Sequence, residues 1–460
     1  MIVVKFGGTS VGDAAAIERA AEIVKSRLER QPLVVVSALA GTTNALLTIA
    51  EQAAQGQLIS AMRGVEVLRE RHLQVAEELL GDAPVHHDLF GEISVTFDEL
   101  ASLAEALATL GHMTPRSHDA IAAKGEQVSS VLIVAAFEAR GIPVEHVDAG
   151  TVMITNDHYG KADPRPDRIA DAAQRILRPM LEDGRVPVLG GYIGATEHEI
   201  VTTLGRGGSD YSASLLGAAL GAEAIEIWTD VDGMLTADPR VVSGAQLIEK
   251  IRFDEASELA SFGAKVLHPN TIAPAVRQGI PVFVYNSRNP LGRGTRITDD
   301  APERPVSAIA GKTDVTVVRV RSPRMLLTHG FLRTAFEVFE RHRTSVDVVA
   351  TSEVSVSVTI DDVTHLENLV VDLAHLGDVT VERHRGIVAL VGAGLTRDGL
   401  AMSRALAALE GIRVHMLSLS ASGINLTIII DGERVAPAVQ ALHAAFFDTA
   451  PRNSHLASRT

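Results

Sequence analysis

The chain has 460 residues, enough for two to four domains at about 150 residues each. Hydrophobic residues make up 46% and charged residues 22%, so a large core is available within an ordinary soluble composition. A formal net charge of -15 argues against general nucleic-acid binding and against docking on anionic membranes, and the lack of cysteine excludes disulfides, thiolate chemistry and zinc–cysteine sites. No apolar run is expected to reach the ~20 residues of a bilayer span. The chain opens on a strand rather than a leader, so a cytoplasmic enzyme is expected.

In chain order, Ile2, Val3 and Val4 read as a buried strand, and Lys5 stands between this run and the loop Gly7-Gly8-Thr9-Ser10-Val11-Gly12. Asp13 followed by three alanines reads as an N-cap and a helix start. A strand, a glycine turn and a helix N-terminus together form an anion site, because backbone N–H groups and the positive helix end point over the loop. The adjacent lysine suggests a polyphosphate. Gly7 and Gly12 have the spacing of a P-loop, but Asp13-Ala14 follow where that motif requires Lys-Ser/Thr, so a Walker reading fails. The bland alternative is an ordinary βα turn with an exposed lysine.

Ile17, Ala20, Ala21, Val24 and Leu28 fall on one face of a helix, and residues 33–36 read as a strand buried on both sides. Helical patterns at 62–80, 97–110, 126–139, 167–182, 210–221, 254–262 and 271–278 accompany strand patterns at 143–149, 186–189, 223–229 and 280–285. This alternation predicts an α/β domain with a mostly parallel sheet between two layers of helices. Residues 287–315 are rich in Pro, Gly and charge, as a boundary would be. Beyond them two units, each approximating βαββαβ, are expected in succession over 313–380 and 381–450. Each alone leaves open sheet edges, which side-by-side pairing would cover.

Several positions carry candidate chemistry. In Leu204-Gly205-Arg206-Gly207-Gly208-Ser209-Asp210-Tyr211, a second glycine cluster opens a helix; Arg206 can hold a carboxylate with a two-point fork, while Asp210 reads equally as a helix cap. Thr229-Asp230-Val231-Asp232-Gly233 closes a strand where parallel sheets bind ligands, although a simple turn also explains Asp232-Gly233. Lys265 could reach a phosphate or be merely solvated. Ser37 and Thr43 follow the second strand, and Glu126 sits at a helix start where the dipole alone would favour it. The 17 histidines show no convincing metal spacing.

Taken together, KFGGTSVGD, the loop at 37–44, LGRGGSDY at 204–211, WTDVDG at 228–233, TADPR at 236–240 and FGAKVLHP at 262–269 occur in the order seen in aspartate kinases. The chain resembles that family over essentially its whole length, and its second half resembles paired ACT regulatory domains. The resemblance implies an amino-acid-kinase fold over 1–298. It also implies transfer of the ATP γ-phosphoryl, with Mg²⁺, to the β-carboxylate of L-aspartate, the first step of lysine, threonine and methionine biosynthesis. Lys5 then matches the lysine that neutralises the moving phosphoryl, and Asp210 the acid that orients it. Arg206 and Glu126 match the pair gripping the α-carboxylate and α-amino group, with Ser37 and Thr43 lining the site. Gly7, Gly8, Thr229, Asp230, Arg240 and Lys265 match nucleotide positions. Similar kinases often place a tyrosine where Leu235 stands, which puts a ring contact in doubt.

Met325, Thr328, Gly330, Phe331 and Leu332, with Ser345, Val346, Asp347, Ser352 and Glu353, resemble the effector loops of lysine-inhibited aspartate kinases. Asp347 would take an α-amino group, Glu353 an ε-ammonium, and the N–H groups at 330–332 a carboxylate. Composition alone reads the two acids as ordinary loop residues. L-Lysine leads as effector and threonine follows. The resemblance implies a homodimer through the regulatory units, or a tetramer. No fused homoserine dehydrogenase is expected, since the chain ends at Thr460. The alternatives are a kinase for another small acid, such as N-acetylglutamate, carbamate or a nucleotide, and a non-catalytic amino-acid sensor on the same fold.

Overall fold

The computed structural model describes residues 1–81, 87–262, 271–326, 329–397 and 399–448. It divides into two compact units: Met1–Met234 with Val266–Asp300, and Leu235–Lys265 with Ala301–Thr460.

The first unit runs β1 (Ile2–Phe6), α1 (Ala14–Lys25), β2 (Pro32–Val36), α2 (Thr42–Ala54), α3 (Leu58–Leu80), α4 (His87–Leu110), α5 (Pro115–Ala122), α6 (Lys124–Glu138), β3 (Val144–His146), α7 (Pro166–Glu182), β4 (Val186–Gly190), β5 (Ile193–Ala195), β6 (Val201–Thr203), α8 (Gly208–Leu220) and β7 (Ala224–Thr229). The second unit then contributes β8 (Lys250–Ile251) and α9 (Phe253–Ser261), after which the first closes with α10 (Ala273–Arg277), β9 (Val282–Asn286) and β10 (Thr295–Ile297). Within the first unit the main sheet has the order β3-β4-β2-β1-β7-β9-β10. All its pairs are parallel except β9–β10. Such a sheet is covered on both faces, which is why β1, β2 and β4 are buried at every residue.

Strand alternation decides which side chain meets which layer. Ile2, Val4 and Phe6 enter the core cluster shared with α1 to α4. Val3 faces α8, where a Cβ on Gly217 would come 3.6 Å from it. Lys5 follows Val3 on that same face. Each fully buried aliphatic or Phe side chain here contributes about 1.5–3 kcal/mol. Across α5 and α6, Pro115–Glu138 has the length and mean hydropathy of a membrane span, but 67% of that window is buried inside the protein, as in a core helix.

The second unit continues with β11 (Ala308–Arg321), α11 (Phe331–Arg341), β12 (Val349–Thr351), β13 (Ser355–Ile360), α12 (Leu366–Ala374), β14 (Asp378–Val391), α13 (Leu400–Ala408), β15 (Val414–Leu419), β16 (Asn425–Asp431) and α14 (Val435–Phe447). These six strands form one sheet in the order β12-β13-β11-β14-β16-β15. β11 and β14 each have 14 residues and pair antiparallel from Ala308↔Val391 to Arg321↔Asp378.

One expectation is corrected here. The βαββαβ units do not follow one another as closed segments. The first takes Val315–Arg321 as its first strand and the front of β14 as its fourth. The second starts on the back of β14 and takes as its fourth strand Ala308–Lys312, which precedes the first unit in the chain. The interlocking gives each unit an inner edge already paired, so only β12 and β15 remain as edges. In addition, Leu235–Lys265, which lies inside the expected 1–298 domain, packs with the sheet of the second unit. Buried polar groups tie it there. Glu255 accepts from Ser307 Oγ at 2.7 Å and Ala393 N–H at 2.8 Å, and Thr236 Oγ1 lies 2.9 Å from buried His443 Nε2.

Candidate active site and regulatory loops

The pocket forms at the carboxyl ends of β1, β2 and β4. From β1 the chain first builds strands on one side and later β7 on the other, so β1 and β7 flank the topological switch point. Gly7 N–H closes this point by donating to Trp228 O at 2.9 Å. The expected helix start is present, since Asp13 accepts from Ala16 N–H at 2.7 Å.

Lys5 Nζ lies 2.6 Å from Asp210 Oδ1, with side chains only 10% and 14% exposed. Asp210 is in the first turn of α8 but does not cap it, because Gly207 is the N-cap. The pairing with Lys5 resolves the two readings of Asp210 in favour of an ion pair. Gly205 (φ 76°) and Gly207 (φ 73°) both adopt left-handed backbone, and Arg206 stands exposed between them.

Lys5, Ser37, Thr43, Glu126, Arg206 and Asp210 all line one pocket of ≈ 600 Å³. Glu126 is 3% exposed. One carboxylate oxygen accepts weakly from Ala38 N–H at 3.3 Å, and the other has no partner. Burial pushes its pKa up to about 8, against the pull of the Ala38 N–H. A buried acid with a free oxygen facing a pocket is suited to meet a cation. Ser37 is held in place through its backbone: its N–H donates to Phe6 O at 3.1 Å and its carbonyl accepts from Ser129 Oγ at 2.9 Å.

Sequence reasoning missed two residues at this pocket. Asp119, fully buried, accepts from Gly160 N–H at 2.8 Å, Thr203 N–H at 2.9 Å and Thr203 Oγ1 at 2.7 Å. It fastens a pocket-lining turn to the strand that precedes the Arg206 loop. Its partners are 41 and 84 residues away, so no local pattern could reveal them. Tyr192, also lining the pocket, has a left-handed backbone (φ 67°), which is uncommon outside glycine, and burial pushes its phenol pKa up. A Cβ on Gly208 would stand 2.7 Å from the Tyr192 ring, so the glycine is required.

The candidate nucleotide positions are not gathered into one unit. Gly8, Thr229 and Asp230 belong to the first, at the carboxyl ends of β1 and β7. A Cβ on Gly8 would approach Ala38 O to 2.9 Å. Leu235 and Arg240 belong to the second unit. The Arg240 guanidinium grips Asp238, at 3.0 Å from Nε to Oδ1 and 2.6 Å from Nη2 to Oδ2, and that fork holds the Asp238 carboxyl below its ordinary range. Lys265 lies outside the described residues.

The regulatory positions lie on the first βαββαβ unit at separate places. Gly330 (φ 84°) caps α11; Phe331 is buried in the unit's core, with Met325 and Val346 packed against it, and Leu332 is exposed. Phe331 therefore offers its backbone rather than its ring. Asp347 N–H bonds to Thr359 O at 3.0 Å, whereas Ser352 N–H bonds to Ser355 O at 2.8 Å. Four residues of strand separate these registers, about 13 Å at ~3.3 Å per residue. The backbone at Asp347 and at Glu353 is thus separated along the sheet edge. Ser345 and Glu353 are exposed, and Thr328 lies outside the described residues.

Comparison with known proteins fixes the class. The amino acid kinase family matches residues 1–286, and an ACT domain matches residues 388–446. The chain is thus an amino acid kinase joined to an ACT regulatory region. The lysine-sensitive aspartokinase 3 of Escherichia coli is 38% identical over 457 residues, 97% of this chain and 99% of that one. The chloroplastic aspartokinase 3 of Arabidopsis thaliana is 37% identical over 97% of this chain and 82% of its own. The crystal structure of E. coli aspartokinase III with aspartate and ADP (R-state) superposes with a TM-score of 0.84 at 38% identity, covering 97% of this chain and 100% of that one. The form with lysine and aspartate (T-state) gives 0.82, covering 97% and 99%. The chain belongs to the aspartokinase family of ATP-dependent kinases.

Proposed function

We propose that the protein transfers the γ-phosphoryl of ATP to the β-carboxylate of L-aspartate, giving 4-phospho-L-aspartate and ADP, under feedback control by L-lysine. The carrying observation is the convergence of the Lys5–Asp210 pair, Glu126, Arg206, Ser37 and Thr43 on one pocket. The nucleophile needs no general base, because a side-chain carboxylate is ionised at neutral pH. One of its oxygens forms the new bond to phosphorus as the bond to the ADP oxygen breaks. The protein's work is positioning and charge neutralisation.

Lys5 meets the negative charge on the moving phosphoryl, and Asp210 holds the Lys5 ammonium in place. Arg206 takes the substrate α-carboxylate in a two-point fork. The unpartnered Glu126 oxygen takes the α-ammonium, with Ser37 and Thr43 beside the chain. Gly7 and Gly8 admit the phosphates to the end of β1, with Thr229 and Asp230 at the end of β7 on the nucleotide. Among the described residues no three acids or histidines converge as a metal cage. Mg²⁺, implied by the ATP chemistry, would be held mainly by the phosphates and water, since magnesium seldom has an all-protein cage. The joint presence of Lys5, Glu126, Arg206 and Asp210 disfavours a sensor without catalysis.

Lysine inhibits by binding an inactive arrangement more tightly than the active one. A homodimer through the regulatory units, as the resemblance implies, would complete the effector contacts. The deciding experiment measures ADP release from Mg-ATP with L-aspartate or N-acetylglutamate, with hydroxylamine trapping the acyl phosphate and L-lysine or L-threonine added. Aspartate-dependent hydroxamate suppressed by lysine supports the whole reading. Activity without lysine inhibition keeps the kinase and removes the effector. No aspartate-dependent turnover removes both.

A further inference from the structure

Lys312 lies at the end of the pairing run Ala308–Lys312 of β11, just before a register shift in the β11–β14 ladder. Its Nζ stands 3.1 Å from Asp347 Oδ2 and also donates to the Asp361 carboxylate. The Lys312 and Asp347 side chains are 27% and 28% exposed, and Asp361 is 47% exposed. Burial opposes the charge on Lys312, but its hydrogen bonds and charge contacts with the two acids outweigh that and hold its pKa above the ordinary range. Burial pushes the Asp347 carboxyl up while Lys312 pulls it down. Two carboxylates share one ammonium, so the cluster carries one unbalanced negative charge.

The second βαββαβ unit repeats the layout with different side chains. Asp347 precedes Val348 and His415 precedes Met416, and both apolar residues enter the same core cluster. Asp361 follows the end of β13, and Asp431 ends β16. Arg385 there engages both Asp431 and Glu382, and His415 adds Nε2 at 3.0 Å from Asp431 Oδ1. Where the second unit adds His415 beside its acids, the first holds two carboxylates, Asp347 and Asp361, on the single ammonium of Lys312.

We propose that Lys312 is a tethered competitor of the effector: its ammonium holds the Asp347 carboxylate that the α-ammonium of an incoming amino acid must take, and Asp361 is the carboxylate to which Lys312 retreats. The proposal rests on the effector reading of Asp347 given above. It sets the threshold of feedback from within the chain. An effector ammonium that joins the cluster brings two cations against two carboxylates and balances the charge. Without Asp361, Lys312 has no second partner and keeps Asp347.

The two carboxylate contacts therefore predict shifts of opposite sign. With the full-length enzyme and the hydroxamate assay, Lys312→Met lowers the L-lysine concentration for half-inhibition about fivefold, the scale of one partly exposed ion pair. Asp361→Asn raises it by about the same factor. Lys312→Arg, which keeps the charge, stays near the parent. Should Lys312→Met fail to fold, the rise in Asp361→Asn, checked by calorimetric titration with L-lysine, carries the test. A Lys312→Met curve that is unchanged or weakened, or an Asp361→Asn curve that is unchanged or tightened, overturns the competitor while leaving the effector site intact, provided Asp347→Asn relieves inhibition. A parental curve for Asp347→Asn overturns the effector reading itself, and the competitor with it.

Discussion

The substrate pocket and the regulatory sheet hold their charges in contrasting ways. In the pocket, Glu126 is almost wholly buried with one oxygen unpartnered, and Arg206 stands between two left-handed glycines with its side chain exposed at the wall. On the sheet, Asp347 is half-covered and already paired with Lys312. At Glu126 the pocket keeps a substrate-binding group uncommitted, whose energy is released on substrate and transition state, while Lys5 is already held by Asp210. A regulatory site gains from a partner already in place, which sets the concentration at which it responds. The contrast predicts large, pH-dependent effects in the pocket and small, graded ones on the sheet.

The largest effect is expected at Lys5. Lys5→Ala should lower kcat by at least ~10²-fold with the circular dichroism of the parent, since it removes the charge that faces the phosphoryl. Turnover near the parental value would break the assignment of the pocket. Next is Glu126. Measured above pH 8, where the parent carboxyl is ionised, Glu126→Gln should raise KM for aspartate about 100-fold, the scale of removing one partner of a buried charge pair. In the parent this carboxyl is neutral below about 8 and ionised above it, so kcat/KM for aspartate should climb with pH through about 8, and the variant should lose that climb. The sign for stability is opposite. The folded chain keeps a proton between the ordinary 4.5 and about 8 that the unfolded chain releases, so Glu126 makes the fold less stable as pH rises through that window. A parental pH profile in Glu126→Gln would show that the burial has no bearing on substrate.

Asp119 tests whether the pocket walls, and not only its charges, are set in advance. Asp119→Asn replaces an acceptor oxygen with a donor opposite N–H and O–H groups, costing about 1–3 kcal/mol. As a positioning residue it should raise KM for aspartate about tenfold by the same arithmetic while kcat changes less. An equal fall in both kcat and kcat/KM would place its role elsewhere. The smallest change is expected on the sheet. Glu353 is exposed, so Glu353→Ala should weaken lysine inhibition about fivefold and spare aspartate phosphorylation. An inhibition curve that overlays the parent would remove Glu353 from the effector contacts.

Much of this molecule could be read from residue order alone. Periodicities of 3.6 and 2 placed most helices and strands within a few residues, because apolar faces must match the layers they cover. The glycine clusters marked the pocket, since close backbone approaches such as Gly8 to Ala38 O and Gly208 to Tyr192 admit no side chain. Other features left no local trace. The front half of β14, with its charged Glu382-Arg383-His384-Arg385, looks like a loop because its side chains are only partly covered. The hairpin β5–β6 is too short for a period to show, and Asp119 finds its partners across 41 and 84 residues.

The sequence by itself determined the chemistry available: which strand ends in a lysine, which helix starts bear acids, and which turns require glycine. Only the tertiary structure decided how these were used. It paired Asp210 with Lys5 rather than with its own helix end, because strand alternation turns Lys5 toward α8. It moved Leu235–Lys265 into the regulatory unit through buried contacts of Glu255 and Thr236, and interlocked the two βαββαβ units by running β11 and β14 through both. These are long-range pairings whose free energy comes from burying polar partners and sheet edges together, and no local window of sequence contains both halves of any of them.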